Sequence, residues 1–227
     1  MTLLDGVQRF FDFKSEPCPA IQLSQGSFAH QVLIKERWVP VFSYRTNQKI
    51  EEMKALDTLG TPCAYTAMSV NSDSLEQILF RELDVAEYLM DTQTDHITAY
   101  CTGNSANLIV GFDNGASAHM QLHSSPFGPR QFHHELITDQ GLVSDRVADT
   151  VIAQQALNLY TNDGYEFFTD SDFLLYGLSE EDQELVYGIF DSFHSDIDVL
   201  IERGRRLSSI VLSAFSQNRT CYAGEDF

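Results

Sequence analysis

Basic residues are scarce in this 227-residue chain: 14 Lys and Arg stand against 33 Asp and Glu, a formal charge of −19. That balance repels phosphate backbones and anionic lipid, so neither nucleic acid nor a membrane is an expected partner. Cysteines are few and scattered. Cys18, Cys63, Cys101 and Cys221 form no CxxC and no zinc-type spacing with histidine, and they read as free thiols of a reducing compartment. No apolar run reaches the length of a membrane span, and Met1-Thr2-Leu3-Leu4-Asp5 lacks the basic start and apolar core of a signal peptide; the expected location is the cytoplasm. GxGxxG, Walker, GxSxG and HExxH patterns are all missing, and Gly103, Gly111 and Gly224 stand alone. Repeats and low-complexity tracts are missing too.

What is present suits a globular domain with a sizeable core, since 43% of the residues are hydrophobic. Leu3, Leu4, Val7, Phe10 and Phe11 predict a short amphipathic helix, followed by a breaker-rich stretch from Ser15 to Gln25 with Pro17 and Pro19. Trp38 to Tyr44 reads as a strand and Lys49 to Leu59 as a helix, stopped by Gly60 and Pro62. Cys63 to Val70 is strand-like. Strands are then predicted at Ile97–Cys101, Asn107–Phe112, Ala116–His123, Gln131–Thr138 and Leu142–Val147. Asp113-Asn114-Gly115 marks a hairpin, and the set reads as a sequential antiparallel meander. Ser179 and Asp182 start a helix through Leu185, Val186, Ile189, Phe190 and Phe193, and a second follows through Leu207, Ile210, Val211 and Phe215. The expected class is α+β: an open, mainly antiparallel sheet with helices on one face. Phe112, Met120, Leu122 and Phe132 do not all fit one inner face, so the other face is expected to be an oligomer interface.

Ser74 to Asp91 is the most informative stretch. Leu75, Ile78, Leu79, Leu83, Ala86, Leu89 and Met90 fall at helical spacing, while Gln77, Arg81, Asp84, Tyr88 and Asp91 share the opposite stripe; Asn71, Asp73 or Ser74 would cap it. Other constellations carry less. His119 and His123, four residues apart on a strand, stand about 13 Å apart, too far to share an ion, and His133 and His134 beside Glu135 would face opposite ways, so no metal site is expected. Cys101 near His96 has nothing to orient it as a nucleophile. Asp170 and Asp172 read as solvated loop carboxylates.

Taken in order, these segments resemble the C-terminal domain of the Gfo/Idh/MocA oxidoreductases. Val39-Pro40-Val41-Phe42-Ser43-Tyr44-Arg45-Thr46-Asn47 resembles the strand and Arg-Phe-Asn-Pro-type loop that closes that family's nucleotide domain, and Leu83-Asp84-Val85-Ala86-Glu87-Tyr88-Leu89 its His-x-x-Asp helix. Leu108 to Ala116 is similar to its sheet hairpin, and Glu135 to Leu142 to a later strand pair around Gly141. The resemblance covers roughly residues 38 to 217, which sets expected boundaries of 1–37, a segment of open role, and 38–227, the family-like domain. Arg45 is reached without the family's Gly-rich turn or Glu-Lys-Pro lysine, so the N-terminal Rossmann domain is expected to be missing and no cofactor is assigned. The family's histidine aligns with Arg81 and its acid with Gln77, neither of which titrates near neutral pH.

What the resemblance implies is therefore a dehydrogenase-like protein that binds a ligand or oligomerises without hydride chemistry. The alternative is a substrate-binding subunit of an NAD(P)-dependent sugar or polyol oxidoreductase, with the nucleotide domain on another chain. Under either, Arg45, Asn47, Gln77, Arg81 and Asp84 would surround a small sugar-like ligand, where the N-terminal end of the striped helix meets the sheet. A third reading makes the stripe a solvated helix face, with an Arg81–Asp84 ion pair worth a few tenths of a kcal/mol.

Overall fold

Helix α1, Leu3–Phe13, opens with a capping box in which Thr2 and Asp5 satisfy each other's backbone N–H. Its aromatic face settles on α4, Glu180–His194, with Phe11 4.9 Å from Phe190 and Phe10 4.8 Å from Tyr187 between ring centroids. The computed structural model describes residues 1–56, 60–127, 131–145, 156–161, 164–169, 175, 177–217 and 220–222. After α1 comes a small antiparallel sheet of β1 (Leu23–Gln25), β2 (His30–Ile34) and β3 (Arg37–Pro40). Lys35 and Glu36 turn β2 into β3 with positive φ of 48° and 64°, a turn that no glycine announces in the sequence. The strand expected from Trp38 to Tyr44 stops at Pro40, which has no N–H for the ladder, and Ser43–Thr46 forms a 3-10 turn instead. Val7, Phe11, Val32 and Ile34 join the main core, so the first 37 residues pack as part of it.

Helix α2, Gln48–Ala55, is capped by Asn47 and ends earlier than the expected Leu59, while Gly60 takes the positive φ of 73° foreseen for it. Strand β4 (Pro62–Asn71) leads into α3 (Leu75–Met90), where Ser74 and Gln77 form the capping box and Asp91 ends the helix in the left-handed region. Then follow β5 (Thr94–Thr102), β6 (Ser105–Phe112), β7 (Ser117–Ser124), β8 (Gln131–Thr138), β9 (Gly141–Ser144), β10 (Ala156–Thr161) and β11 (Gly164–Thr169). Helices α4 and α5 (Ile197–Gln217) and strand β12 (Thr220–Tyr222) complete the described elements. Asp170, Asp172, Gly224 and the last residues of the strand expected to reach Val147 lie outside the described residues.

The large sheet has the order β11-β10-β9-β8-β4-β7-β6-β5-β12. A sequential meander holds only in parts, because β4 inserts between β7, its parallel neighbour, and β8, antiparallel to it. Parallel pairing needs a crossover connection, and α3 is on that path. The fold is α+β, an open sheet with helices on one face. Phe112, Met120 and Leu122 are all buried on that inner face, and Phe132 lies on it beside His134. The expectation that these four residues conflict is thus corrected: strand alternation sends them the same way. Among the described residues no helix is long and apolar enough to cross a membrane.

Candidate functional site

Helix α3 is covered almost all round. Within the polar stripe Asp84 is 1% exposed, Gln77, Arg81 and Tyr88 are partly buried and Asp91 is exposed, while Glu82 and Glu87 beside it are 0% and 4% exposed, so the stripe is not simply a solvated face. The 3-10 turn, α2 and α5 also pack on this helix. The Asp84 carboxylate is gripped by Arg45, through Nε at 3.2 Å and Nη2 at 2.7 Å, and by Arg203 Nε at 2.8 Å. Glu87 takes Arg206 Nη1 at 2.8 Å and the Thr94 backbone N–H at 2.9 Å. Guanidinium groups and N–H donors stand in for water around these buried carboxylates, and removing one partner of such a pair costs about 3–5 kcal/mol.

A second cluster lies on the other side of α3. His134 Nε2 meets Glu82 Oε2 at 3.2 Å and Nδ1 meets Asp145 Oδ2 at 3.0 Å, while Tyr65 donates its hydroxyl to Glu82 at 3.3 Å. Burial alone would push the His134 imidazolium down, but the two carboxylates on its nitrogens outweigh that and hold its pKa up at about 10. Burial works to raise Glu82, yet the His134 charge and Arg81 hold it below its ordinary value. Burial, then the Glu82 charge, pushes the Tyr65 hydroxyl well above the usual range. This cluster is a clamp joining α3, β4 and β8. His133 faces outward, opposite His134, and His119 and His123 are exposed on the outer face. Among the described residues no group of three or more His, Cys, Asp or Glu is set to hold a metal. Cys101 shares the inner side of β5 with Ile97 and Ala99 while His96 shares the outer, so the two do not meet; burial pushes the Cys101 thiol up.

A cleft of about 180 Å³ opens beside the N-terminal half of α3. The β1–β2 turn, the segment Val41 to Tyr44 and the first turns of α4 close it, and α4 approaches so near that a Cβ on Gly188 would stand 2.8 Å from the Ser43 Cα. One wall is a stack of rings, Phe28 on Phe80 at 5.8 Å and Phe80 on Phe42 at 5.9 Å. Arg81 lies with its guanidinium 4.1 Å from the Tyr44 ring centroid and its Nη1 2.6 Å from Asp73 Oδ2. Its Nε and Nη2 are buried and have no acceptor among the described residues. Each buried donor left without a partner costs about 1–3 kcal/mol, which makes this cation the unsatisfied group of the cleft.

Of the residues nominated from sequence, Gln77, Arg81 and Asp84 line the cleft. Gln77 gives its side-chain oxygen to the Ser74 backbone, and Asp84 is held by Arg45 from behind. Asn47 is elsewhere: it caps α2 and donates to Glu184 at 2.7 Å. Arg81 pairs with Asp73, not with Asp84. The cleft lies beneath the small sheet and α4, whereas the sequence put it against the large sheet. Phe28, Tyr44, Phe80 and Glu184 went unnoticed; the Ser179 cap could have pointed to Glu184, but nothing local marks Phe28.

No protein-family model matches the sequence, and no curated protein does. Solved structures match it. An oxidoreductase from Agrobacterium radiobacter, in complex with NAD+, L-tartaric acid and magnesium, is similar at TM-score 0.63 and 14% identity, over 82% of this chain and 65% of that one. An NAD-binding oxidoreductase from Klebsiella pneumoniae gives 0.64 and 15% over the same shares, and an oxidoreductase domain protein from Kribbella flavida 0.60 and 11% over 81% and 65%. The chain therefore spans just under two thirds of the length of these neighbours. They are of the Gfo/Idh/MocA type, and what this chain shares with them is their fold.

Proposed function

We propose that this chain is a ligand-binding protein on a dehydrogenase-like scaffold, and that its cleft takes a small, sugar-like ligand without hydride chemistry. The observation that carries the reading is Arg81, which lines the cleft with two donor nitrogens, Nε and Nη2, buried and lacking an acceptor among the described residues. Aromatic rings on one wall and carboxylates at the rim suit a compound with hydroxyl groups and an apolar face. At the helix positions where the resemblance expects an acid and a histidine, Gln77 is tied into a helix cap and Arg81 is paired with Asp73. A dinucleotide does not fit the described residues: the turns from β3 to α2 and from β4 to α3 contain no glycine, and Asp73 sits in the second, where a pyrophosphate would need N–H donors. Thermal-shift and calorimetric screening of sugars, polyols and sugar acids should give saturable stabilisation by at least one of them, about 2.7 kcal/mol at a hundredfold excess over Kd. Oxidation of any binder with NAD or NADP by the purified chain would overturn the non-catalytic reading.

The second reading is a substrate-binding subunit whose nucleotide domain sits on another polypeptide. It is favoured by the 65% coverage of neighbours that include NAD complexes. Co-purification of a Rossmann-type partner would support it, and self-assembly that captures nothing else would count against it. Within either reading we propose a homo-oligomer formed through the outer sheet face. Tyr100, Ile109 and Ile137 are 66%, 58% and 38% exposed there, and across β4 to β8 Glu135 is the carboxylate of a face that also carries His119, His123 and His133. In so acidic a chain, a face depleted of negative charge is the one on which two copies repel least. Cys18, Cys63 and Cys101 form no disulfide among the described residues, which suits the cytoplasmic location we propose.

A further inference from the structure

We infer that the ligand of this cleft carries one carboxylate, docked in plane on the Nε–Nη2 edge of Arg81, an inference that rests on the cleft being the binding site. A guanidinium offers a carboxylate two parallel donors along one edge. Arg45 shows in the same molecule how that edge is filled: its Nε and Nη2 take the two oxygens of Asp84 at 3.2 and 2.7 Å. On Arg81 the same pair of atoms is buried and lacks an acceptor among the described residues, while Nη1 is held by Asp73. The Tyr44 ring covers a face of the guanidinium, and since both nitrogens are closed to solvent here, docking in the plane requires neighbouring side chains of the cleft to part. A lone hydroxyl would satisfy one of the two donors, whereas a carboxylate matches both. Its charge is limited by the surroundings: Asp73, Asp84, Asp182 and Glu184 also line the cleft, so a dianion such as phosphate would meet more repulsion than a single carboxylate. Those same oxygens accept hydrogen bonds from hydroxyl groups. The ligand class is thus a polyhydroxylated monocarboxylate, a sugar acid or a smaller hydroxy acid.

The test is calorimetric titration of the full chain with matched acid and alcohol pairs: gluconate with glucitol, glycerate with glycerol, galacturonate with galactose. For at least one pair the acid should bind ten times or more tighter than its neutral partner. Arg81→Lys keeps the charge but loses the fork, and should weaken the acid at least tenfold and by a larger factor than it weakens the neutral partner. Asp73→Asn, which removes a competing carboxylate, should hold or improve acid affinity; this second variant keeps the test open if Arg81→Lys melts early. Equal affinity within every pair, or acid binding indifferent to Arg81→Lys, would overturn the carboxylate and leave a neutral sugar site. No heat from any member of any pair would overturn the carboxylate and the binding site together.

Discussion

Arg81 and Glu82 are neighbours on α3, yet one points into a cleft with half its donors idle and the other into a cluster where His134, Tyr65 and a second carboxylate close around it. Both are charged and both are buried. The Glu82 side is shut off from solvent with His134 bonded between two carboxylates, although Glu82 Oε1 also lacks a donor among the described residues, so removing His134 leaves bare charge in a low-dielectric interior. The Arg81 side is under-satisfied and borders open space, which makes it a poor contributor to stability and a ready receptor for an outside acceptor. The same helix therefore separates a structural role from a binding role across one residue.

The sharpest way to break this contrast is His134→Ala, which leaves Glu82 and Asp145 facing each other; we expect a loss of about 3–5 kcal/mol in chemical denaturation. A change near zero would show that the clamp is not what holds α3 to β8. Next comes pH. The folded-state pKa of His134, about 10, exceeds its ordinary 6.5, so its contribution is fully present below about 6.5 and is lost as pH rises through 10. The depressed Glu82 carboxyl contributes in the opposite sense, above its ordinary 4.5, and that part is lost as pH falls below the carboxylate range. Melting curves from pH 4 to about 11 should show the alkaline loss to be smaller in His134→Gln than in the native chain.

Asp84→Asn should cost about 2–3 kcal/mol, less than the His134 change because Arg45 and Arg203 keep 21% and 23% of their side chains exposed and can be hydrated. Arg81→Met is expected to shift stability by no more than about 1 kcal/mol, since relief of two idle donors offsets the lost pair with the half-exposed Asp73. A loss as large as that of Asp84→Asn would place Arg81 among the structural charges. Smallest of all should be Ile109→Arg on the outer sheet face, within about 0.5 kcal/mol. Sedimentation would then show the assembly to be gone if that face joins two copies.

Much of the local structure was legible in the residues. Ser74 and Gln77 announce the start of α3, Ser179 that of α4, and Asp113-Asn114-Gly115 the β6–β7 turn with Gly115 at φ 84°. Alternation along β8 correctly set His133 and His134 on opposite faces. The turn at Lys35 and Glu36 was not legible, because left-handed backbone at two charged residues is a tertiary demand with no residue preference behind it. Nor was the insertion of β4: Thr66 stands between His119 and Glu135, partners 53 and 69 positions away by number, and strand propensity names no partner. In the cleft, the helical spacing put Gln77, Arg81 and Asp84 on one stripe, but the ring of Phe28 arrives from a stretch with no local signal and that of Phe42 from one read as strand.

By itself the sequence determined the helical or strand character of many segments and where several of them begin. These follow from forces acting within a few residues: side-chain period, capping hydrogen bonds and turn chemistry. Only the tertiary structure decided that Asp84 within the polar stripe of α3 is buried, that Arg81 answers to Asp73, and that Asp84, Glu82 and Glu87 are held by residues 39, 52 and 119 positions distant. A charge has no preferred partner in the chain. Its partner is whichever opposite charge folding leaves beside it once water has been removed.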